Sequence, residues 1–471
     1  MHRDKGIKKV VVIGCSGAGA MAAKMLKKLN SSVEVTIIRP QEEKGLLTRC
    51  ATPYIAGGYV TVDSSYKDDT IFLKEGIKIV NIKAVSIDRK TKKVITEDGL
   101  SYKYDKLVLA TGAKPIVFPI PGIDLAGVFT LRTSGDAVSI LTWINSRRVK
   151  TVVVIGAGAI GIEIAYLIAL HGVRVILVEM LGQVLGKVID SDMSKEVERY
   201  IRDKGIELRL NQRVDSIIGE EEVEAVELSS KERLPAEMVI ISGGIQPNIE
   251  LAKKAGIRVS QFGIKVNEYL QTSDPDIFAA GDVIEYKSFV TDKPTWGQLR
   301  PNAVIGGRVA AKNVLGYRIK FPKFINAFAT KFFDISIAGA GITEEEARKE
   351  GIETISTKQS SFSKHSMMRD RKPYIIKLIF NKRTKRIIGG QLISESDCPI
   401  KHIDLIALAI RNKLTVLDLT TIRCAGQPEL SPDPGMEPIA LASEAIFKEL
   451  YRSSKDVQKR SLKVVRRKAK E

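Results

Sequence analysis

The chain is poor in cysteine, with only four in 471 residues. Cys15, Cys50, Cys398 and Cys424 are too few and too far apart for a disulfide framework. Their spacing also lacks the CxxC pairs that are typical of cysteine-bound metals, so we expect no metal site. Such sparse cysteines favour a reducing compartment, and we therefore expect a cytoplasmic protein.

The chain also lacks a convincing membrane segment. Its basic start, "MHRDKGIKKVVVIG", reaches a glycine after only four apolar residues, which is unlike a secretory signal peptide. The stretch "VVVIGAGAIGIEIAYLIAL" (residues 152–170) is almost uncharged and has the length of a membrane span. Its glycines separate a β-run from an apolar helix, however, which predicts a buried strand–helix unit and no membrane partner.

The chain has fewer acidic than basic residues. Lys and Arg number 74 against 55 Asp and Glu, which gives a formal net charge of +19. Such an excess can attract nucleic acid, acidic lipids or phosphate-bearing ligands. The densest basic segment, "KDVQKRSLKVVRRKAKE" (residues 455–471), is typical of a solvated tail. Nucleic acid is therefore the weaker interpretation, although a protein that binds nucleic acid or membrane through its basic surface stays as an alternative.

Two glycine-rich turns stand between a β-run and a helix. The first lies in "KKVVVIGCSGAGAMAAKML" (residues 8–26), where Ser16 takes the place of the usual middle glycine. Glycines in such a turn let a pyrophosphate approach the free N–H groups of a helix N-terminus, where the helix dipole favours anions. The candidate contacts in this first loop are Gly14, Ser16, Gly17, Ala18 and Gly19.

The second turn carries the full GxGxxG pattern, at Gly156, Gly158 and Gly161. The next strand ends at Glu179, 18 residues after the last of these glycines. A carboxylate at that place can accept hydrogen bonds from an adenosine ribose and would repel a 2′-phosphate. We therefore expect NADH to be preferred, while nearby Arg174 and Lys187 leave NADPH open.

Two further segments complete a recognisable order. "YDKLVLATGAKP" (residues 104–115) runs from a strand into a turn, and "TSDPDIFAAGDV" (residues 272–283) is another strand ending in Gly281 and Asp282. The order of glycine loop, lone cysteine, ATGxxP, second glycine loop and FAAGD resembles the FAD-dependent pyridine nucleotide–disulfide oxidoreductases over roughly residues 8–450. The resemblance implies an α/β fold with two Rossmann-like dinucleotide-binding domains and a C-terminal α+β dimerisation domain.

The resemblance also implies a domain layout and cofactors. A discontinuous FAD-binding domain would cover residues 1–118 and 246–320, with an NAD(P)H-binding domain at 119–245 between its two parts. A dimerisation domain would cover 325–450, ahead of a basic tail at 451–471. FAD would be the fixed cofactor and NADH the exchanging one, with NADPH not excluded, and the working form would be a homodimer.

Site residues follow from the same resemblance. The FAD contacts would be Gly14, Ser16, Gly17, Ala18, Gly19, Thr111, Gly112, Gly281 and Asp282, and the NAD(P)H contacts Gly156, Gly158, Gly161, Glu179 and Gly244. Asp282 would meet the flavin ribityl chain. One departure is Arg39, at the end of the strand where relatives usually carry an acidic residue for the FAD ribose; Glu42 or Glu43 are candidate substitutes.

The central question is what Cys50 does in "GLLTRCATPYIAGG". The CxxxxC branch of this family needs a second cysteine five residues later, and this chain has Ile55 there. That branch also uses a histidine where this chain has Gln427. "RCATPYIAGG" is instead similar to the single-cysteine branch, in which the sulfur forms a mixed disulfide or a sulfenic acid. Cys50 would be catalytic, and a helix beginning there would lower its pKa.

The other three cysteines receive different predictions. Cys15 lies in the first glycine turn and is expected to be a packing residue. Cys398 is expected at the surface or at an interface. Cys424 lies near the segment that reaches the partner subunit's active site in relatives, so a second redox role stays open.

Several substitutions bear on the choice between reductase and oxidase. The peroxidase and water-forming oxidase branch carries a histidine in the first loop, where this chain has Gly17. Coenzyme A disulfide reductases carry a Tyr-Tyr pair where this chain has Met367 and Met368, so the substrate entrance is altered. The leading hypothesis is a reductase of coenzyme A disulfide, persulfide or polysulfide, and a hydrogen-peroxide-forming NADH oxidase is the alternative.

The helix after the first glycine loop carries a small basic cluster. Lys27 and Lys28 match basic residues that meet the coenzyme's phosphates in coenzyme A disulfide reductases, which makes them candidate substrate contacts. A solvated lysine face is the competing interpretation.

Overall fold

A computed structural model describes residues 6–41, 45–147, 149–397 and 400–451. Its strands are β1 (Lys9–Ile13), β2 (Glu34–Arg39), β3 (Leu46–Leu47), β4 (Tyr66–Lys67), β5 (Ile77–Asn81), β6 (Ala84–Asp88), β7 (Lys93–Thr96), β8 (Ser101–Lys103), β9 (Lys106–Leu109), β10 (Ala113–Pro115), β11 (Val128–Thr130), β12 (Thr151–Ile155), β13 (Arg174–Val178), β14 (Glu207–Arg209), β15 (Val214–Ile218), β16 (Ala225–Leu228), β17 (Arg233–Pro235), β18 (Met238–Ile241), β19 (Ile245–Pro247), β20 (Val259–Ser260), β21 (Gly263–Ile264), β22 (Ile277–Ala279), β23 (Tyr286–Lys287), β24 (Pro294–Thr295), β25 (Phe328–Phe332), β26 (Ile335–Gly341), β27 (Thr354–Phe362), β28 (Pro373–Asn381) and β29 (Ile387–Ser394).

The helices are α1 (Gly17–Leu29), α2 (Thr52–Ala56), α3 (Val62–Ser65), α4 (Thr70–Leu73), α5 (Ser134–Ser146), α6 (Ala159–Ala169), α7 (Ser191–Asp203), α8 (Glu250–Lys254), α9 (Arg300–Val314), α10 (Glu344–Lys349), α11 (Lys401–Arg411) and α12 (Val416–Thr420). Residues 438–451 are also helical, and short 3₁₀ turns lie at Arg49–Ala51 and Pro434–Met436. In the part of the chain that the structure describes, no helix is both long and apolar enough to cross a membrane.

Contacts divide the described chain into two units. The first comprises Met1–Gly182, Gly205–Ser288 and Asp292–Phe324, and the second comprises Gln183–Lys204, Phe289–Thr291 and Ile325–Glu471. The segment Gln183–Lys204, which contains α7, is thus part of the second unit, together with the C-terminal residues.

The first unit contains two parallel five-stranded sheets. One has the strand order β22-β9-β1-β2-β5 and the other β11-β18-β12-β13-β14. Every residue of β12 is buried, and such valine-rich runs are typical of strands covered on both faces. In each sheet a glycine turn follows the central strand and leads into a helix, α1 in the first sheet and α6 in the second. The uncharged stretch at 152–170 is therefore a strand and a helix, as predicted.

The second unit is built on an antiparallel sheet with the order β25-β26-β29-β28-β27. The stretch "PYIIKLIFNKRTKRIIGGQLI" (residues 373–393), whose two apolar runs about a polar turn are typical of a hairpin, contains the antiparallel pair β28 and β29. Helix α11 is amphipathic and buries Ile403, Ile406, Ala409 and Ile410 on one face. Two parallel sheets and this antiparallel sheet confirm the predicted α/β fold class with Rossmann-like sheets.

Candidate active site

The first glycine loop joins β1 directly to α1. Gly14 has a φ of +104°, and a Cβ at this position would lie 2.2 Å from the carbonyl oxygen of Ala110 on the neighbouring strand connection. Only glycine suits this conformation and this close approach. Ser16 precedes α1, and Gly17, Ala18 and Gly19 are the first three residues of that helix. The sequence therefore places the predicted loop residues at one helix N-terminus.

The N-terminus of α1 has unfilled hydrogen-bonding capacity. The Ser16 side chain makes no capping hydrogen bond, and the first turn holds no acidic residue. The first N–H groups of a helix have no partner within the helix and suit an anion such as a pyrophosphate.

Asp282 lies just after β22 and pairs with Arg132, whose Nη2 lies 2.8 Å from a carboxylate oxygen. The neighbouring Nε of Arg132 is buried without a hydrogen-bond partner among the described residues. A buried N–H of this kind is costly unless another group accepts its hydrogen bond. The glycine turn, the open helix N-terminus and this orphaned N–H together fit a polar, anionic dinucleotide such as FAD.

The other predicted FAD residues lie at the same edge of the first sheet. Thr111 and Gly112 follow β9 and are tied to Asn248, whose backbone N–H donates to the Gly112 carbonyl at 2.9 Å. The Asn248 side-chain amide also donates to the Thr111 carbonyl at 2.9 Å. Gly281 follows β22, where a Cβ would come within 2.8 Å of the Ala18 side chain. The three turns therefore meet around the start of α1.

Arg39 is turned into the protein. Its side chain is 1% exposed and donates to Asp69 through both terminal nitrogens and to Asn81 at 2.7 Å. Burial acts to lower the pKa of Arg39, but the hydrogen bonds and charge of Asp69 outweigh it and raise the pKa. The guanidinium therefore stays protonated in the core, where the Asp69 carboxylate balances its charge. The suggested ribose partners Glu42 and Glu43 lie outside the described residues.

The second glycine loop repeats the first between β12 and α6. Gly156 follows the strand, Gly158 precedes the helix, and Gly161 is its third residue. A Cβ on Gly158 would have no atom within 4 Å, whereas one on Gly161 would lie 1.9 Å from the Gly156 carbonyl oxygen. Gly158 therefore borders open space, as a ligand-facing position requires, while Gly161 permits close packing of strand and helix.

Glu179 follows the last residue of β13 and reaches back to this loop. One carboxylate oxygen accepts from the Ala157 N–H at 2.7 Å, and the other accepts from the Leu181 N–H at 2.8 Å. Two backbone donors thus hold a negative charge beside the second glycine loop. Gly244 lies after β18 with a φ of +101°. Nearby Arg174 is committed to Glu207 at 2.6 Å.

Cys50 lies in the 3₁₀ turn Arg49–Ala51, directly ahead of α2, and its side chain is exposed. Ile55, the residue five positions later, is 1% exposed and packs in the core. No second sulfur is therefore available at the spacing of an internal redox disulfide. Arg49, next to the cysteine, points its guanidinium at the Arg132 carbonyl, at 3.2 Å.

The groups around Cys50 shift the pKa of its thiol in opposite directions. Packed protein around the thiol desolvates it and raises its pKa; Arg300 acts to lower the pKa, while Glu163 and Asp282 raise it further. The net result is a raised pKa, which differs from the lowered value expected for a helix start. The reason is that desolvation, the largest of these effects, together with the two carboxylates outweighs Arg300 and a backbone hydrogen bond to the thiol.

The other described cysteines differ from Cys50. Cys15 is 2% exposed within the core of the first sheet, as expected of a packing residue. Cys424 is exposed on the wall of a cavity of about 760 Å³ in the second unit, which also includes His402 and Glu437. Burial and the negative charge of Glu437 raise the pKa of Cys424. Cys398 lies outside the described residues.

The lysines of α1 make different contacts. The Lys27 ammonium donates to the carbonyls of Ser31 and Val33, at 2.6 and 3.1 Å, and so fastens the chain that leaves the helix. Lys28 is exposed, and Lys24 pairs with Glu75 at 2.9 Å. Of the two lysines predicted as substrate contacts, Lys28 is thus the more accessible.

A cluster of three carboxylates lies in the second unit. Oxygens of Asp190, Asp192 and Glu344 lie within 4.8 Å of one another. The Lys377 ammonium reaches all three, at 3.4, 2.7 and 2.5 Å. The positive charge that balances this cluster is therefore supplied by the protein itself.

Comparison with known proteins decides the family. Residues 8–307 match the pyridine nucleotide-disulphide oxidoreductases, and residues 327–434 match the dimerisation domain of the same family. The chain belongs to the pyridine nucleotide-disulphide oxidoreductase family. The predicted resemblance is confirmed, as are the predicted cofactors of this oxidoreductase, FAD and NAD(P)H.

Three relatives illustrate the similarity. An NADH oxidase of Methanocaldococcus jannaschii is 35% identical, over 94% of this chain and 99% of its own length. A CoA-dependent NAD(P)H sulfur oxidoreductase of Pyrococcus furiosus is 35% identical, over 90% of this chain and 96% of its own. The solved structure of an NAD-dependent persulfide reductase from A. fulgidus superposes with a TM-score of 0.89 at 31% identity, covering 94% of this chain and 83% of that one.

Two arginines of the oxidoreductase were missed by sequence reasoning. Arg132 pairs with Asp282 across 150 residues of sequence, and Arg300 acts on Cys50 from the start of α9. A basic residue at the first position of a helix is unfavourable for the dipole, and this was the one available signal at Arg300.

Proposed function

We propose that this oxidoreductase passes electrons from NAD(P)H through FAD to a coenzyme A disulfide, persulfide or polysulfide, with Cys50 forming a mixed disulfide with the acceptor. The observation that carries the proposal is that Cys50 is exposed while the residue five positions later is the buried Ile55 and not a second cysteine. The charge of Asp282, a candidate FAD contact, also acts on the pKa of the Cys50 thiol. A single sulfur in this setting can exchange only with an external sulfur compound.

The proposed reaction at Cys50 needs one external sulfur compound as electron acceptor. The Cys50 thiolate attacks the S–S bond of the acceptor, one thiolate leaves, and a Cys50–S–S–R bond forms. Two electrons, which derive from NAD(P)H, and one proton then release R–SH and restore the thiolate. Bound FAD supplies the two-electron transfer between nicotinamide and sulfur.

We propose the domain layout that the family resemblance implies. The loops at Gly14 and Gly281, with Thr111 and Asp282, would hold FAD, and the loop at Gly156 would hold NAD(P)H. This assignment is supported by the first parallel sheet, which combines strands from residues 9–109 with β22, while residues between them form the second sheet. The cysteine content supports a reducing, cytoplasmic setting.

We also propose that the oxidoreductase works as a homodimer. The match of residues 327–434 to a dimerisation domain supports this arrangement. The segment around Cys424–Pro434 would then face the partner subunit's flavin and Cys50. Cys424 is exposed in the second unit, so a second redox role for it stays open.

Lys28 provides a test of the coenzyme A substrate class. The Lys28→Ala variant should raise the KM for coenzyme A disulfide about threefold to tenfold, because an exposed lysine attracts the phosphates of the coenzyme. The KM for a small uncharged disulfide should stay unchanged. Steady-state kinetics with both acceptors, at low and high salt, make the comparison, and high salt should shrink the difference.

A matched control is Lys83→Ala, which removes another exposed lysine from the same unit. It should leave both KM values unchanged. Equal effects of Lys28→Ala on both acceptors would reject the phosphate contact. The second candidate function is that of an NADH oxidase, and the 35% identity to a protein of that name makes it worth testing. This candidate would be favoured if the wild-type enzyme reduced oxygen to hydrogen peroxide but reduced neither disulfide.

Glu179 should set the preference for NADH. Its carboxylate is fixed beside the second glycine loop and would repel a 2′-phosphate. The Glu179→Gln variant keeps the shape and removes the charge, so the ratio of kcat/KM for NADPH to that for NADH should rise about tenfold, equivalent to about 1.4 kcal/mol. The exposed Glu221→Gln variant should leave the ratio unchanged. A wild-type preference for NADPH would contradict this role.

A further inference from the structure

Cys50 lies in a part of the chain that leaves the first sheet and returns to it. The Cys50 segment, residues 46–67, lies between β2 and β5, which are neighbouring strands of that sheet. Strands β3 and β4 close the segment as a short antiparallel pair, in which Leu47 lies opposite Tyr66. Cys50 therefore stands just beyond the neck of a loop, and α2 follows it.

The turn around Cys50 and helix α2 form one hydrogen-bonded unit. The buried Thr52 hydroxyl donates to the Arg49 carbonyl at 2.9 Å and so closes the turn that holds Cys50. The Gly57 N–H donates to the Pro53 carbonyl at 2.9 Å at the other end of α2. A displacement of Gly57 is therefore transmitted through this short helix to the backbone of Cys50.

Helix α2 is held by α5 and α6, which pack on strands of the second sheet. A Cβ on Gly57 would lie 2.5 Å from the Leu167 Cβ of α6, so the two backbones approach as closely as a glycine permits. A Cβ on Gly58 would lie 3.3 Å from the Leu141 side chain of α5. The end of α2 thus lies against both helices.

His171, two residues beyond the end of α6, fastens the tip of the Cys50 segment. Its Nε2 lies 2.8 Å from the Gly57 carbonyl oxygen. Because a carbonyl can only accept, this nitrogen carries the proton and donates. Gly57 is the C-cap of α2, and the last carbonyls of a helix have no partner within it. A side chain that follows α6 therefore supplies the donor that the end of α2 needs.

Tyr66 fastens the neck of the same segment. Its hydroxyl lies 2.6 Å from the hydroxyl oxygen of Ser134, the first residue of α5. This hydrogen bond is partly buried, and the lower local dielectric makes it stronger than one fully exposed to water. The Cys50 segment is thus attached to α5 at its neck and to the end of α6 at its tip.

Helix α6 consequently connects two candidate sites. It begins at the loop of Gly156, Gly158 and Gly161, the candidate NAD(P)H loop, and its far end contacts the helix that follows Cys50. With 11 residues, α6 is about 16 Å long. The position of the thiol is therefore set from the side of the second sheet, although the neighbouring strands β2 and β5 belong to the first.

We propose that His171 and Tyr66 are positioning residues that fix the Cys50 segment on α5 and α6 and so hold the Cys50 sulfur where it accepts electrons. The proposal rests on the proposed function, in which Cys50 is the redox centre. Both residues act through the backbone of the segment and take no part in bond making.

The test separates the two half-reactions of the FAD-loaded enzyme by stopped-flow absorbance of the flavin. In His171→Phe and in Tyr66→Phe, NADH should reduce the flavin at the wild-type rate. Oxidation by coenzyme A disulfide should then slow about threefold to tenfold, because small displacements of reacting atoms are costly. His171→Gln should restore most of the rate, since its amide nitrogen can take the place of Nε2 as donor.

Amide hydrogen exchange gives a readout that needs no turnover. Peptides covering residues 47–60 should exchange about threefold to tenfold faster in both phenylalanine variants, because a lost hydrogen bond lowers the local stability. Peptides from α1 should be unchanged. The matched control is Tyr59→Phe, which removes an exposed hydroxyl from the same segment and should match the wild type in both measurements.

Wild-type rates of flavin oxidation in both phenylalanine variants would overturn the proposal even if exchange were faster, because the two hydrogen bonds would then be structural only. An equal effect in Tyr59→Phe, or no recovery in His171→Gln, would also overturn it. Failure of the proposed function is seen separately, since full disulfide turnover in Cys50→Ser would reject that function whatever the exchange rates show.

Discussion

The Cys50→Ser variant is expected to lose reduction of coenzyme A disulfide and persulfide, with kcat falling by about a thousandfold or more. A serine hydroxyl cannot form a mixed disulfide, and no other sulfur lies at position 55 to replace it. Serine has nearly the same size, so FAD binding and the fold should be retained. Anaerobic kinetics with NADH and each acceptor, together with the flavin absorbance, make the measurement.

The matched control is Cys424→Ser, the same substitution at another exposed cysteine. It should retain disulfide turnover. In size-exclusion chromatography the wild type and both variants should elute as dimers. Oxygen consumption by Cys50→Ser should persist, because reduced flavin reacts with oxygen without a thiol. Substantial disulfide turnover in Cys50→Ser would remove the basis of the proposed function.

Lys377→Met should lower the free energy of unfolding by about 3–5 kcal/mol. Lys377 is 3% exposed, and its loss would leave Asp190, Asp192 and Glu344 close together without a cation. Burial acts to lower the pKa of Lys377, but hydrogen bonds to Asp192 and Glu344 outweigh it and raise the pKa. The stabilisation is therefore present at neutral pH and is lost only as the pH rises through this raised value.

Urea unfolding followed by circular dichroism would measure this change. The control is Lys401→Met, which removes an exposed lysine that pairs with Asp404 and should have little effect. In Lys377→Met, Mn²⁺ should recover part of the lost stability, because the three carboxylates are then free to bind a cation. Wild-type stability in Lys377→Met would show that the carboxylates are protonated or solvated instead.

Features that are local in sequence could be predicted. The glycine turns at Gly14 and Gly156 follow from a buried β-run, a turn that needs glycine and an apolar helix within about 20 residues. The hairpin of β28 and β29 follows from its alternating apolar runs and polar turn. In each case, short-range backbone constraints determine the structure.

Features that depend on distant contacts could not be predicted. Arg132 and Asp282 are 150 residues apart, and Lys377 and Asp192 are 185 apart. The pKa of Cys50 depends on desolvation and on charges from three other elements. The buried pairing of Arg39 with Asp69 likewise rests on a side-chain direction that a strand pattern does not specify.

The buried Ile55 has a consequence for how the oxidoreductase responds to its surroundings. A protein with two neighbouring cysteines closes its own disulfide, and its redox balance is then independent of outside thiol. For the proposed Cys50–S–S–R bond, reduction releases a free thiol, so the half-reaction includes the concentration of that thiol. Each tenfold rise in thiol should shift the apparent potential of this couple by about 30 mV towards more negative values. The fraction of oxidised enzyme would thereby report the abundance of its own product.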